Sequence, residues 1–334
     1  MENETPEHAP IETSTTPPAA ASESGAFVAP ADSHAEPPGN TSALARKEGL
    51  WALGIGLFYL LFWQIVPRIR NDSVVVILTT TLLSLAITLL FTVRTARALR
   101  SPLALGVCLT VSTMLVLPSA LPTLVHAFPL WPIWGTLAPF YRSYRQAYHA
   151  VPGLDGLLLI LLAVSLGTLV SRLVREFKML LPMAVVLALV DLYVVFGGGL
   201  VTQAQSGKSQ VAQEAMKALT VQLPTAQPKS GAAPLSLIGF ADFLFIALFF
   251  ACFTRFGIPS RNTFLVLCGL LMAYMLTVFL TNISLPALVP IAVVVISMNL
   301  RRFRYERSEA FALLYASLFL LALAGAFYFL SHKR

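Results

Sequence analysis

189-LVDLYVVFGGG-199 places a carboxylic acid, Asp191, inside a long apolar run. Even on lenient insertion scales, a charged Asp at the centre of a bilayer costs about +2.5 to 3.5 kcal/mol. A residue this expensive needs a partner or a task. Whether the run is a membrane helix at all depends on the rest of the chain.

The 334 residues are 57% hydrophobic and only 12% charged, with a mean hydropathy of +0.75. Soluble domains carry roughly a quarter charged residues, so the composition implies a multi-pass membrane protein. The net charge of +7 is not a nucleic-acid signature, because the cations lie mostly between apolar segments, where headgroups and topology account for them. Cys108, Cys252 and Cys268 all fall in apolar runs without disulfide or metal spacing, and the five histidines are scattered. No metal and no organic cofactor is expected.

Residues 1–45 differ in kind. They hold seven prolines, seven acids and no Lys or Arg. Such a segment buries too little apolar surface to offset the entropy of ordering, so a disordered tail is expected. It lacks the basic start and apolar stretch of a cleavable signal peptide, which leaves the first membrane helix as the insertion signal.

A span takes about 20 mainly apolar residues. Nine stretches qualify: 49–67, 73–93, 102–125, 154–174, 179–200, 236–254, 262–281, 284–300 and 309–330. The expected fold is an all-α polytopic bundle of about nine transmembrane helices. The stretch 126–153 is broken by Pro129, Pro132 and Pro139 and ends in the interfacial YRSYRQAYHA, which reads as a loop lying on the membrane. The organisation expected is a tail (1–45), N-terminal membrane helices (46–178), a core (179–300) with a polar loop at 201–235, and an extra C-terminal helix (301–334). With a cytoplasmic N-terminus, fourteen of the 23 Lys and Arg residues fall on the cytoplasmic side, so the positive-inside rule favours that orientation. The loop 201–235 then faces outward. It contains 208-KSQVAQEAMKAL-219, readable as an amphipathic helix, and the strand-like 220-TVQL-223.

Of the sixteen acids, seven lie in the tail and seven in loops or at helix ends; only Asp191 and Asp242 sit well inside apolar segments. Those segments are consecutive and joined by the outward loop. At 1.5 Å per residue the two acids lie roughly 13 and 9 Å from the shared face, close to one level. Two close carboxylates cannot both ionise cheaply, so they share a proton and titrate as a unit. The neutral acid can protonate a carbonyl oxygen while the ionised one takes a proton from an attacking water. Buried acids also serve transporters and proton pathways, or simply hydrogen-bond two helices together, so composition alone leaves those readings open.

Three stretches favour hydrolysis: 191-DLYVVF-196, 239-GFADFLF-245 and 284-SLPALVPIAV-293. Their order and spacing resemble the presenilin and signal peptide peptidase family of intramembrane aspartyl proteases, over roughly 179–300. That family has an Asp on one helix, a Gly-x-Gly-Asp on the next, and a Pro-Ala-Leu two helices further on. The resemblance implies that Asp191 and Asp242 form a catalytic dyad. It implies that Gly239, Phe240 and Ala241 set the approach of the second Asp, and that Pro286, Ala287 and Leu288 shape the substrate cleft. Val190 stands where the family usually has an aromatic residue, and Ala241 where it has glycine. The outward loop matches the signal peptide peptidase orientation rather than that of presenilin. The alternatives are a transporter or proton-coupled carrier using the same acids, and a protease-like binder that does not cut.

The expected partners are transmembrane or signal-peptide substrates and the lipid bilayer, with no nucleic acid; self-association is left open. The expected location is the inner (plasma) membrane of a prokaryotic-type cell. Pro286 and Pro290 lack an N–H, so 285–290 cannot start a regular helix without exposing backbone groups; 285–288 is expected to help hold an extended substrate. Gly197–Gly199 both caps the Asp191 helix and permits a hinge, and 208–223 is expected to clamp substrate.

Overall fold

The computed structural model describes residues 38–71, 73–127, 151–196, 219–227, 237–281 and 286–302, with isolated helical positions at 311, 315, 318 and 322. Among these residues there are eight α-helices: α1 Pro38–Ile65, α2 Val74–Ala98, α3 Pro102–Ala127, α4 Leu154–Ser171, α5 Leu180–Phe196, α6 Phe240–Arg255, α7 Arg261–Thr281 and α8 Leu288–Asn299. Two short strands, β1 Thr220–Gln222 and β2 Leu237–Gly239, pair antiparallel. Five helical stretches are long and apolar enough to cross a membrane: Ala43–Arg68, Val74–Ala98, Leu154–Ser171, Phe177–Val195 and Arg261–Thr281. The chain is a membrane protein.

Nine spans are not confirmed among the described residues. Eight of the nine expected stretches carry a helix, and the ninth, 309–330, lies almost wholly outside the described residues, as do 128–150, 197–199 and 208–218. Two of the eight are shorter than a span requires. The 236–254 stretch opens as strand β2 and becomes helix only at Phe240, because Gly239 sits in extended backbone (φ −68°, ψ 144°) at the helix start. The 284–300 stretch is helical only from Leu288, because Pro286 removes a backbone donor just ahead of that start. These helices run roughly 24 and 18 Å, short of a hydrocarbon core of about 30 Å.

The bundle is built around α4 and α6, which pack on each other. Their closeness rests on Gly167, where an added Cβ would lie 2.2 Å from the Leu244 carbonyl oxygen and 3.1 Å from Ala247 Cβ. Small residues at such a contact let backbones approach where lipid supplies no hydrophobic drive to associate. α2 also packs on α6 and turns inward a row of small hydroxyl residues, Thr81, Ser84, Thr88 and Thr92, all buried. Each hydroxyl donates to the carbonyl four residues earlier, at 2.6–2.8 Å, so none is left unpaired in the apolar interior. α6 contributes the densest core, with Phe243, Phe249, Phe250 and Phe253 almost fully buried.

Towards one end, the chain from β1 to Gln227 runs extended across α2. Ser84 Oγ also donates to the Pro224 carbonyl, and Ala226 N–H donates to Thr80 Oγ1 at 3.1 Å. Gln227 N–H donates to the Ile69 carbonyl and Asn71 N–H to the Gln227 carbonyl, both at 3.1 Å. Extended backbone is tolerated beside apolar helices only when its polar groups are bonded like this. At the opposite end of the bundle, Arg255 Nη1 donates to the carbonyls of Ser171, Arg172 and Val174 at 3.0–3.2 Å, closing the C-terminus of α4.

Gly167→Ala drives a methyl into backbone that cannot yield, so it lowers the unfolding free energy in detergent by about 1–3 kcal/mol. Gly269→Ala, where the added carbon meets nothing within 4 Å, leaves stability unchanged or raises it by up to about 1 kcal/mol. Equal thermal midpoints for the two variants would contradict the close α4–α6 contact.

Candidate active site

Asp191 lies on α5, five residues before the helix ends at Phe196. The principal helical partner of α5 is α8, and the bond between them is specific. Asp191 Oδ2 accepts a hydrogen bond from Leu288 N–H at 2.8 Å. Leu288 is the first residue of α8, and Ala287 at the cap position supplies no side-chain bond. The first N–H groups of a helix have no partner within it. Asp191 therefore caps α8 from a different helix, and the Pro-Ala-Leu stretch lies in direct contact with the first carboxylate. Pro286 and Leu288 are buried and Ala287 is half-buried.

Asp242 is the third residue of α6 and half-buried. Its Oδ2 accepts from Gly239 N–H at 3.2 Å, which is one half of a capping box; Gly239 has no side chain to supply the other half. The expected depth of 9 Å for Asp242 is corrected to roughly 3 Å from the start of α6, because the chain is a strand up to Gly239; the expected depth of Asp191 rests on 197–200, which lie outside the described residues. Asp242 thus sits at a junction of strand and helix rather than well inside a span. The two carboxylates are near enough for Asp191 to act electrostatically on Asp242.

β2 runs directly into this junction. Its register pairs Thr220 with Gly239, Val221 with Ile238, and Gln222 with Leu237, and Phe240 N–H donates to the Leu219 carbonyl at 2.9 Å. Hydrogen-bonded pairs alternate along an antiparallel ladder. Leu219–Phe240 and Val221–Ile238 are therefore the bonded pairs, and the N–H and C=O of Leu237 point away from β1. The Gly239 N–H points the same way, which is why it can reach Asp242. The short strand expected at 220–223 is present over 220–222; its partner β2 was not expected, because 236–254 was read as one helix.

The remaining expected residues are placed as follows. Phe240 is half-buried against an apolar cluster that includes Val221 and Phe243, while Ala241 is exposed. α5 turns Val186, Val190, Leu192, Tyr193 and Val194 outward. An apolar cavity of about 490 Å³, lined in part by Val170, Met179, Pro182, Met183 and Leu187, runs along α5 and ends one turn from Asp191. One further polar residue is not singled out by the sequence. Tyr274, on α7, has a buried hydroxyl with no hydrogen-bond partner among the described residues, and its only sequence signal is a phenol inside an apolar span.

Comparison of the chain with protein-family models, with curated proteins and with solved structures finds no match in any of the three.

Because Asp191 caps α8, its amide and its truncation are expected to behave differently in stability. Asp191→Asn keeps an oxygen for Leu288 N–H and holds the unfolding free energy within about 0.5 kcal/mol, whereas Asp191→Ala loses about 0.5–2 kcal/mol. Chemical denaturation in detergent micelles measures both, and equal losses would remove the capping role.

Proposed function

We propose that the chain is an intramembrane aspartyl protease, a distant relative of the presenilin and signal peptide peptidase family, hydrolysing peptide bonds in transmembrane or signal-peptide segments. The observation that carries this reading is the pair of anchored carboxylates. Asp191 is held by the Leu288 amide of the Pro-Ala-Leu stretch and Asp242 by the Gly239 amide, on helices consecutive in the chain and within electrostatic reach of each other. Each carboxylate keeps a second oxygen for chemistry.

In the reaction, one carboxylate takes a proton from water as the water oxygen bonds to the scissile carbonyl carbon. The other, protonated, gives its proton to the carbonyl oxygen, forming a gem-diol. Collapse breaks the C–N bond. The leaving nitrogen takes a proton from the acid, and a diol hydroxyl returns one to the carboxylate. The dyad ends with the single shared proton it started with.

A membrane helix must be unwound before water can attack, and its freed amides then need partners. The outward-pointing N–H and C=O of Leu237 offer an edge for an extended segment beside Asp242, by strand addition. The apolar cavity along α5 and the outward face of that helix favour a lipid-borne substrate arriving laterally. Nine spans and a prokaryotic inner-membrane setting complete the proposal, together with a cytoplasmic N-terminus and an outward 201–235 loop, which the Lys and Arg distribution favours.

The test is cleavage of a labelled single-span reporter by purified protein in liposomes. Wild type is expected to cut, with cleavage blocked by a hydroxyl-bearing transition-state mimic. Asp191→Asn and Asp242→Asn are each expected to lower the rate by about 10³-fold or more, as loss of one member of a catalytic unit does. Cleavage indifferent to both substitutions would sink the dyad. Proton-coupled solute uptake abolished by the same substitutions, without cleavage, would establish the carrier reading instead. A second check concerns the strand edge: a reporter N-methylated at successive backbone amides near the cut is expected to be cleaved about tenfold more slowly at alternate positions only, the signature of pairing on one strand edge.

A further inference from the structure

Tyr274 belongs to no part of the reading above. It lies on α7, whose inward face is marked by the buried residues Thr263, Leu267 and Leu271. Tyr274 follows Leu271 by three and Leu267 by seven, so helical periodicity puts it on that same face. α7 packs on α8, the helix that Asp191 caps. Leu267 and Leu271 join Leu288 and Ile291 in one apolar cluster, with Met272 and Met275 packed against it. Tyr274 thus lies on the face of α7 that packs against α8 and the cluster around Leu288.

The Tyr274 hydroxyl oxygen is shielded from solvent and has no hydrogen-bond partner among the described residues; a buried polar group left unpaired costs about 1–3 kcal/mol. Asp191 and Asp242 both lie within electrostatic range of the same hydroxyl. Phenylalanine would fill the site without that cost, so a packing role gives no reason for the oxygen. A donor held unpaired beside two carboxylates has the form of a preorganised site, in which a hydrogen bond is completed only when the reacting group arrives.

We propose that Tyr274 is a third catalytic residue of the dyad site, its O–H donating a hydrogen bond to the oxygen of the scissile carbonyl as that oxygen becomes tetrahedral. This rests on the protease reading. No proton is transferred from the phenol: the acid member of the dyad protonates the oxygen, and Tyr274 orients it and stabilises the charge that develops before protonation is complete.

The experiment is Tyr274→Phe in the full chain, reconstituted in liposomes with the single-span reporter. The expected result is a kcat lower by about 10- to 100-fold with KM within about twofold, smaller than the ~10²–10³ for a sole oxyanion donor because the acid also serves the oxygen. A transition-state mimic bearing a hydroxyl at the tetrahedral carbon should lose affinity by a similar factor, while an analogue with a methylene there binds unchanged; a merely structural residue would not separate the two. If Tyr274→Phe fails to fold, judged by its thermal midpoint, a difluorotyrosine at 274 takes its place. That residue keeps the ring and makes the hydroxyl more acidic, and the cleavage rate must then shift by severalfold. Wild-type cleavage with an unaltered rate and unaltered inhibitor selectivity in the variant overturns the role of Tyr274 and leaves the dyad standing. A wild type that neither cuts nor binds the mimic overturns the protease reading, and this inference with it.

Discussion

The hydrogen bond from Leu288 N–H to Asp191 is the contact on which the arrangement of this half of the molecule depends. α8 is only twelve residues long and begins without a side-chain cap of its own. In an apolar setting its first amides have few sources of acceptors. Asp191 provides one from α5, and α8 is in turn the main helical neighbour of α5. One bond therefore serves three ends. It satisfies a helix terminus, it gives a buried carboxylate a donor that offsets part of its desolvation, and it fixes the Pro-Ala-Leu stretch against that carboxylate.

Asp242 is handled by the same device on a smaller scale. Its carboxylate accepts the Gly239 amide three residues earlier, within its own helix start. That is possible because the chain enters α6 as a strand, with Gly239 extended and its N–H pointing off the ladder. The strand is stable in this position because β1 continues into a segment bonded to the hydroxyls of Ser84 and Thr80 on α2. Ser84 and Thr80 on α2, unremarkable as sequence, thus hold the extended backbone that leads to the second aspartate.

Stability and access are divided between helices. α4 and α6 form the closest contact, with the Gly167 backbone against Leu244 and a run of buried phenylalanines behind it. α5 is bound on one side and turns large apolar residues outward on the other. The rigid pair fixes one carboxylate and the more open helix carries the other. Such a division suits the proposed cleavage of lipid-borne substrates, since mobile functional elements are drawn from the less tightly packed parts of a structure.

The sequence by itself determined that this is a helical membrane protein, and roughly where its helices run, because apolar runs of about 20 residues admit no other arrangement in lipid. It also singled out Asp191 and Asp242, since a carboxylate in such a run is costly enough to stand out from its surroundings. It could not place Asp242 at a strand–helix junction. Leu237–Gly239 is as apolar as a helix, and only the pairing with Thr220–Gln222, across a loop, makes it a strand. Nor could it show that Leu288 donates to Asp191, 97 residues away, or that the face of α7 carrying Leu267 and Leu271 packs into the cluster around Leu288, because those depend on how helices pack on one another. Hydropathy records the preference of each residue for lipid over water; it carries no information about which polar groups meet, and only the tertiary structure decided that.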